Sequence, residues 1–133
     1  MKERRFLWFT VNTIPNYELK LSRDLAAIRD NRNLDEVQEV FIPLVSHTTT
    51  RRNKYGEVTS QKEVMKPKFT QYFFVKLEVN YDNQPSGSIW HTIRNMPGCI
   101  GPLNNDKYML GMTDEELSRQ LNIPLSEILE ASI

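Results

Sequence analysis

The chain has 133 residues, 39% hydrophobic and 26% charged, and its 17 Lys and Arg are balanced by 17 Asp and Glu. That is enough for one ordinary domain and too little for two. No apolar run approaches the roughly 18 residues that span a membrane, the N-terminal MKERRFLWFTV leads to no small-residue cleavage site, and the lone Cys99 excludes an intramolecular disulfide or a multi-cysteine zinc site. The expectation at this level is a soluble cytosolic protein with no membrane partner.

The charge is unevenly spread. Arg51, Arg52, Lys54, Lys62, Lys66 and Lys68 face only Glu57 and Glu63 in their stretch, whereas the chain beyond Asn104 is acidic. A basic centre of this kind suits a nearby polyanion, and a solvated hairpin is the plainer account.

Phe6 to Val11 is rich in aromatic and β-branched residues and reads as a first strand, broken by NTIPN. Tyr17, Leu21, Leu25 and Ile28 then recur at helical spacing, predicting an amphipathic helix over 16–30. Val37 to Val45 reads as a second strand, with Pro43 marking an edge or a bend. Polar, basic residues follow, bracketed by Thr48–Thr50 and by Val58 and Val64, and predict a protruding hairpin turning at Asn53–Gly56. KFTQYFFVKLEV is the strongest strand. Period-2 alternation puts Phe69, Gln71, Phe73, Val75, Leu77 and Val79 on a core face, and Tyr72 and Phe74 on the other. Those two rings are either covered by a helix or part of an exposed apolar patch. Ile89, Ile93 and Met96 predict a short helix capped by Ser86 or Ser88 and ended by Pro97-Gly98, then a last strand over Cys99–Leu103. Thr113 and Glu116 form a capping box for a helix over 113–121, and a further helical piece starts at Pro124 or Ser126. The predicted class is α+β: a four-stranded, mainly antiparallel sheet flanked by about three helices, with a basic hairpin outside it.

Catalytic chemistry finds little support. Cys99 sits in an apolar GCIG context, the two histidines are 44 residues apart, the glycines are scattered, and Asp114-Glu115-Glu116 suits a helix N-terminus. No catalytic residue, metal ligand or cofactor is expected. Trp90, by its spacing with Ile93, reads as core rather than as a base-stacking platform.

LWFTVNTIPNYE, VFIP, the basic segment before an aromatic strand, and WHTIRNMPG with Gly101 stand in an order that resembles the N-terminal domain of the NusG family of transcription factors over about residues 7–120. The resemblance implies a non-enzymatic domain that sits on the clamp helices of the largest RNA polymerase subunit and bridges the DNA channel, acting as a monomer in elongation or antitermination. Carried over by position, the polymerase-facing patch is Phe69, Tyr72 and Phe74 with Asn12 at its margin. Nucleic-acid contacts fall to Arg51, Arg52, Lys54, Arg94 and Asn95, the last two facing the non-template DNA strand. Two departures stand out: Thr70-Gln71 replaces the family's Pro-Gly or Pro-Asn, and Met96 replaces a Thr that touches bases. The HTTT at 47–50 resembles a motif of RfaH-like relatives but precedes the hairpin instead of following the aromatic strand, so its role does not transfer. The domain is expected over 1–121, with 122–133 as a linker or terminal helical extension and the family's KOW domain cut away. The competing readings are an autonomous single-stranded nucleic-acid-binding module, which uses the same rings as stacking platforms, and a small Cys-dependent transferase.

Overall fold

The apolar run around Trp8 forms β1 (Arg5–Thr13), the strand on which the rest of the sheet is assembled. A computed structural model describes residues 3–102 and 110–133. In chain order β1 is followed by α1 (Glu18–Arg32), β2 (Val37–Phe41), β3 (Leu44–Arg52), β4 (Val58–Pro67), β5 (Tyr72–Val79), α2 (Gly87–Arg94), β6 (Cys99–Pro102), α3 (Asp114–Leu121) and α4 (Leu125–Ala131). The main sheet has the order β2-β5-β1-β6 and every pairing is antiparallel, while β3 and β4 pair only with each other. The α+β class, the four-stranded sheet and the separate hairpin are as the residues predict.

Adjacent residues of one strand are buried on opposite faces because helices cover the sheet on both sides. Phe9, Val11, Phe73, Val75 and Leu77 pack with Leu21 and Leu25 of α1 and Ile89 and Ile93 of α2. Trp8, Phe41 and Phe74 pack on the other face against Leu117 and Leu121 of α3 and Ile128 of α4. Burying each such side chain contributes about 1.5–3 kcal/mol, so the second layer is no minor addition.

Local chemistry sets the element ends. Asn33 stops α1 in the left-handed conformation, which asparagine tolerates. The Ser86 hydroxyl accepts from the Ile89 N–H to start α2, and Thr113 and Glu116 exchange both bonds of a capping box at α3. Residues 125–131 form α4, a fourth helix, beyond which Ile133 exchanges two backbone hydrogen bonds with Val40 on the outer edge of β2. At the hairpin turn the Asn53 side chain accepts from the N–H groups of Tyr55 and Glu57, and Gly56 takes φ 80°.

Two expectations are corrected. The predicted single strand Val37–Val45 is two strands: Pro43 has no N–H to donate, and the chain bends out of the sheet there to begin the hairpin. The predicted alternation also fails ahead of Tyr72, although it holds from Tyr72 to Val79. Gln71 adopts φ 72°, so β5 begins at Tyr72, and Phe69 is turned to the face of Tyr72 and Phe74 instead of that of Phe73. Leu103, the predicted end of the last strand, lies outside the described residues.

Candidate functional site

The antiparallel register places Asn12 directly opposite Tyr72 and also opposite Gly101, giving one cross-strand row at the end of the sheet. Residues opposite one another point to the same face. Phe69 lies on Tyr72 in a stacked pair, ring centres 5.1 Å apart, and both rings meet Phe74 edge-on at 6.5 and 5.8 Å. The Lys68 ammonium stands 5.6 Å from the centre of the Phe69 ring. Asn12, Phe69, Tyr72 and Phe74 are therefore neighbours at this end of the sheet.

Their exposure differs from expectation. Asn12, Phe69 and Tyr72 are half-buried, but Phe74 is only 3% exposed, held under α3 and α4 with Trp8 and Phe41. The expectation that Phe74 offers a partly exposed ring is thus overturned. A distant helical pair supplies the cover, docked through Trp8. Trp8 exchanges backbone bonds with Met112, its indole N–H donates to Asp114 Oδ1 at 2.7 Å, and Asp114 in turn pairs with Lys76 at 3.0 Å.

The corner carrying Phe69 is anchored from two sides. The Gln71 carbonyl accepts from Thr13 N–H, and the Gln71 N–H donates to the buried Glu18 carboxylate, both at 2.7 Å. Gln71 stands where the resembled family has Gly or Asn, and its positive φ explains that preference. Gln71→Val is expected to cost about 1–2 kcal/mol in chemical denaturation, since a β-branched residue is poorly accommodated there, whereas Gln71→Gly should cost nothing. Equal losses would mean that the corner is not strained.

The sequence-assigned nucleic-acid residues do not form one group. Arg51, Arg52 and Lys54 lie at the far end of the hairpin, which leaves the sheet beyond edge strand β2. Arg94 and Asn95 are exposed at the end of α2, which leads into the opposite edge strand β6. Met96 is buried against the α1–α2 core, so this position packs and presents no polar group. Trp90 also packs there, half-buried. Cys99 is half-buried, and burial pushes its thiol above the ordinary value, which lowers its nucleophilic fraction at neutral pH. Among the described residues no three His, Cys, Asp or Glu side chains are grouped to hold a metal ion. No helix of the described residues is long and apolar enough to cross a membrane.

One feature escaped the sequence reading. Phe41, Pro43, Val45, Met65, Ile123 and Ile133 help line an open hollow of about 440 Å³ where β2, the hairpin base and α4 meet. The apolar run FIPLV around a proline was its available signal, but its walls come from segments far apart in the chain.

Comparison with known proteins gives a consistent result. A family model described as transcription termination factor nusG matches residues 6–121. The transcription termination/antitermination proteins NusG of Rickettsia felis and Rickettsia prowazekii are each 23% identical to this chain over 116 residues. That alignment covers 86% of this chain and 54% of each relative, so the chain spans about half their length. A solved structure described as "Domain interaction in Thermotoga maritima NusG" is similar in fold, with a TM-score of 0.56, 18% identity, and coverage of 90% of this chain and 57% of that one.

Proposed function

The chain belongs to the NusG family of transcription factors, and on that premise we propose that its domain is a non-catalytic elongation and antitermination module that docks on the clamp helices of the largest RNA polymerase subunit and bridges the DNA channel. The observation that carries this reading is the row at the end of the sheet: Asn12 opposite Tyr72, with Phe69 stacked on the ring and all three partly accessible. A rigid aromatic pair loses little rotamer freedom on binding, and a few such anchors supply most of the affinity of an interface. The turn at Gln71 and the bond to Glu18 fix the pair before a partner arrives, which reduces the ordering cost. Phe74 acts from beneath, as the support on which both half-buried rings rest.

Arg94 and Asn95 form a second, smaller contact in this reading, with Arg94 on a phosphate and the Asn95 amide on a base edge of the non-template strand. The alternative, a free-standing binder of single strands, fits the rings less well. Phe74 has no open face, and Phe69 and Tyr72 each spend one face on the other.

Tyr72→Ala is expected to weaken binding to isolated polymerase clamp helices by about 1–3 kcal/mol, roughly 5- to 150-fold in Kd, with Asn12→Ala smaller in the same direction. Titration by calorimetry reads both. Unchanged affinity in the two variants would remove this face from the interface.

A further inference from the structure

The β3–β4 hairpin contributes no residue to either core cluster, and its side chains are exposed almost throughout. A two-stranded ribbon with so little cover is marginal on its own account, so its sequence is free to serve something other than packing. Its charges are sorted by face. The register sets Arg51 opposite Ser60, Thr49 opposite Lys62, His47 opposite Val64 and Val45 opposite Lys66. Strand alternation therefore puts Arg51, Lys62 and Lys66 on one face together with His47 and Thr49. Glu63, the only carboxylate within the two strands, lies on the other face, opposite Thr48 and hydrogen-bonded by Ser46. Among the described residues Arg51, Lys62 and Lys66 have no carboxylate within ion-pair distance. Arg52 and Lys54 continue the positive charge to the tip. In a chain of zero net charge, a ribbon face with only cationic and neutral groups is a local choice.

We propose that this face of the hairpin is a sequence-independent docking surface for B-form duplex DNA, with Arg51, Lys62 and Lys66 on backbone phosphates. Successive rows on one face are about 6.8 Å apart, the axial rise of two base pairs. A two-stranded ribbon fits the major groove of B-form DNA, roughly 12 Å wide, whereas the deep, narrow groove of A-form RNA does not admit it. The face carries no Phe, Tyr or Trp, only the small imidazole of His47, so it offers single strands a poor stacking platform; Tyr55 sits at the tip with the Lys54 ammonium over its ring. This surface is separate from the Asn12–Tyr72 row, and its test needs no polymerase.

The test is fluorescence anisotropy of the purified chain with a mixed-sequence DNA duplex of about two helical turns, titrated between about 50 and 200 mM salt. Three to five cations on phosphates predict a slope of log K against log salt of about −2.7 to −4.5. Arg51→Gln/Lys62→Gln/Lys66→Gln should reduce that slope by about 2–3 and the low-salt affinity by tenfold or more. Lys20→Gln/Arg23→Gln/Arg32→Gln, which removes equal charge from exposed positions of α1, should change both far less. All six positions are exposed, and unchanged melting curves confirm that the variants fold. Equal loss in the two triple variants would overturn the proposal, as would equal or tighter binding of a matched RNA duplex or single strand, or displacement of DNA by stoichiometric polyglutamate.

Discussion

Phe74→Ala is expected to lower folding stability by about 3–5 kcal/mol, the range for truncating a buried aromatic ring, and the melting midpoint by on the order of 10–20 °C. Phe74 lies across the strand from Phe41 on one side and Thr10 on the other, and its ring meets Phe69 and Tyr72 edge-on. The cavity has little means of collapsing. Above it α3 is fixed by the Trp8 indole bond to Asp114 and by backbone bonds between Trp8 and Met112, and the chain beyond α4 is fixed by the pairing of Ile133 with Val40. Phe74→Leu, which keeps much of the volume, should cost well under half as much. The comparison with Tyr72 gives this prediction its functional weight. Tyr72→Ala removes a half-buried ring whose loss water can repair, so it should cost stability little while costing affinity most. A Phe74→Ala variant that binds poorly would be reporting unfolding or the loss of support beneath Phe69 and Tyr72, and only one as stable as the parent chain would reopen the exposed role for this ring. Urea denaturation followed by tryptophan fluorescence reads the difference, because Trp8 is buried in the same cluster.

What the sequence made legible was mostly local. The capping box at Thr113 is read from residues three apart and the structure forms it, and of the two candidate caps for α2, Ser86 and Ser88, it uses Ser86. The Asn53–Gly56 turn is similar, because Asn side chains bond their own turn and Gly takes positive φ. The core face from Phe73 to Val79 follows from period two. The face of Phe69 was not legible, because alternation holds only while φ stays in the β region, and nothing in the letters TQ announces a left-handed Gln71. The cover over Phe74 was also hidden. Periodicity shows that α3 and α4 have apolar stripes, but not that they dock on Trp8 and Phe41, more than 70 residues earlier in the chain. The pairing of Asn12 with Tyr72 depends on antiparallel register across a long connection, so the candidate surface came from the family resemblance and not from spacing.

Gly98→Ala is expected to be comparably damaging, on the order of 3–4 kcal/mol, although it adds a single carbon. Gly98 follows Pro97 in the turn between α2 and β6 and holds φ 91°, a conformation that costs an L residue at least about 1–2 kcal/mol. The added Cβ would also lie 2.4 Å from Cδ1 and 2.9 Å from Cγ of Tyr17. The ring has little freedom to retreat without disturbing the start of α1, where the Tyr17 carbonyl accepts from Leu21 N–H. Moving Gly98 instead strains the 2.9 Å bond from Ile14 N–H to its carbonyl, which ties this turn to the end of β1. Strain and collision separate in a double-mutant cycle. Gly98→Ala placed in a Tyr17→Ala background should lose the collision and keep the backbone cost, giving a coupling of about 1–2 kcal/mol. Additive effects, or a Gly98→Ala chain that melts with the parent, would show that the turn relaxes freely. If the coupling is found, Gly98 is required because the loop between α2 and β6 must pass against the aromatic ring that precedes α1. That close passage would hold the exposed Arg94 and Asn95 on a fixed corner, as the proposed contact to a DNA strand requires.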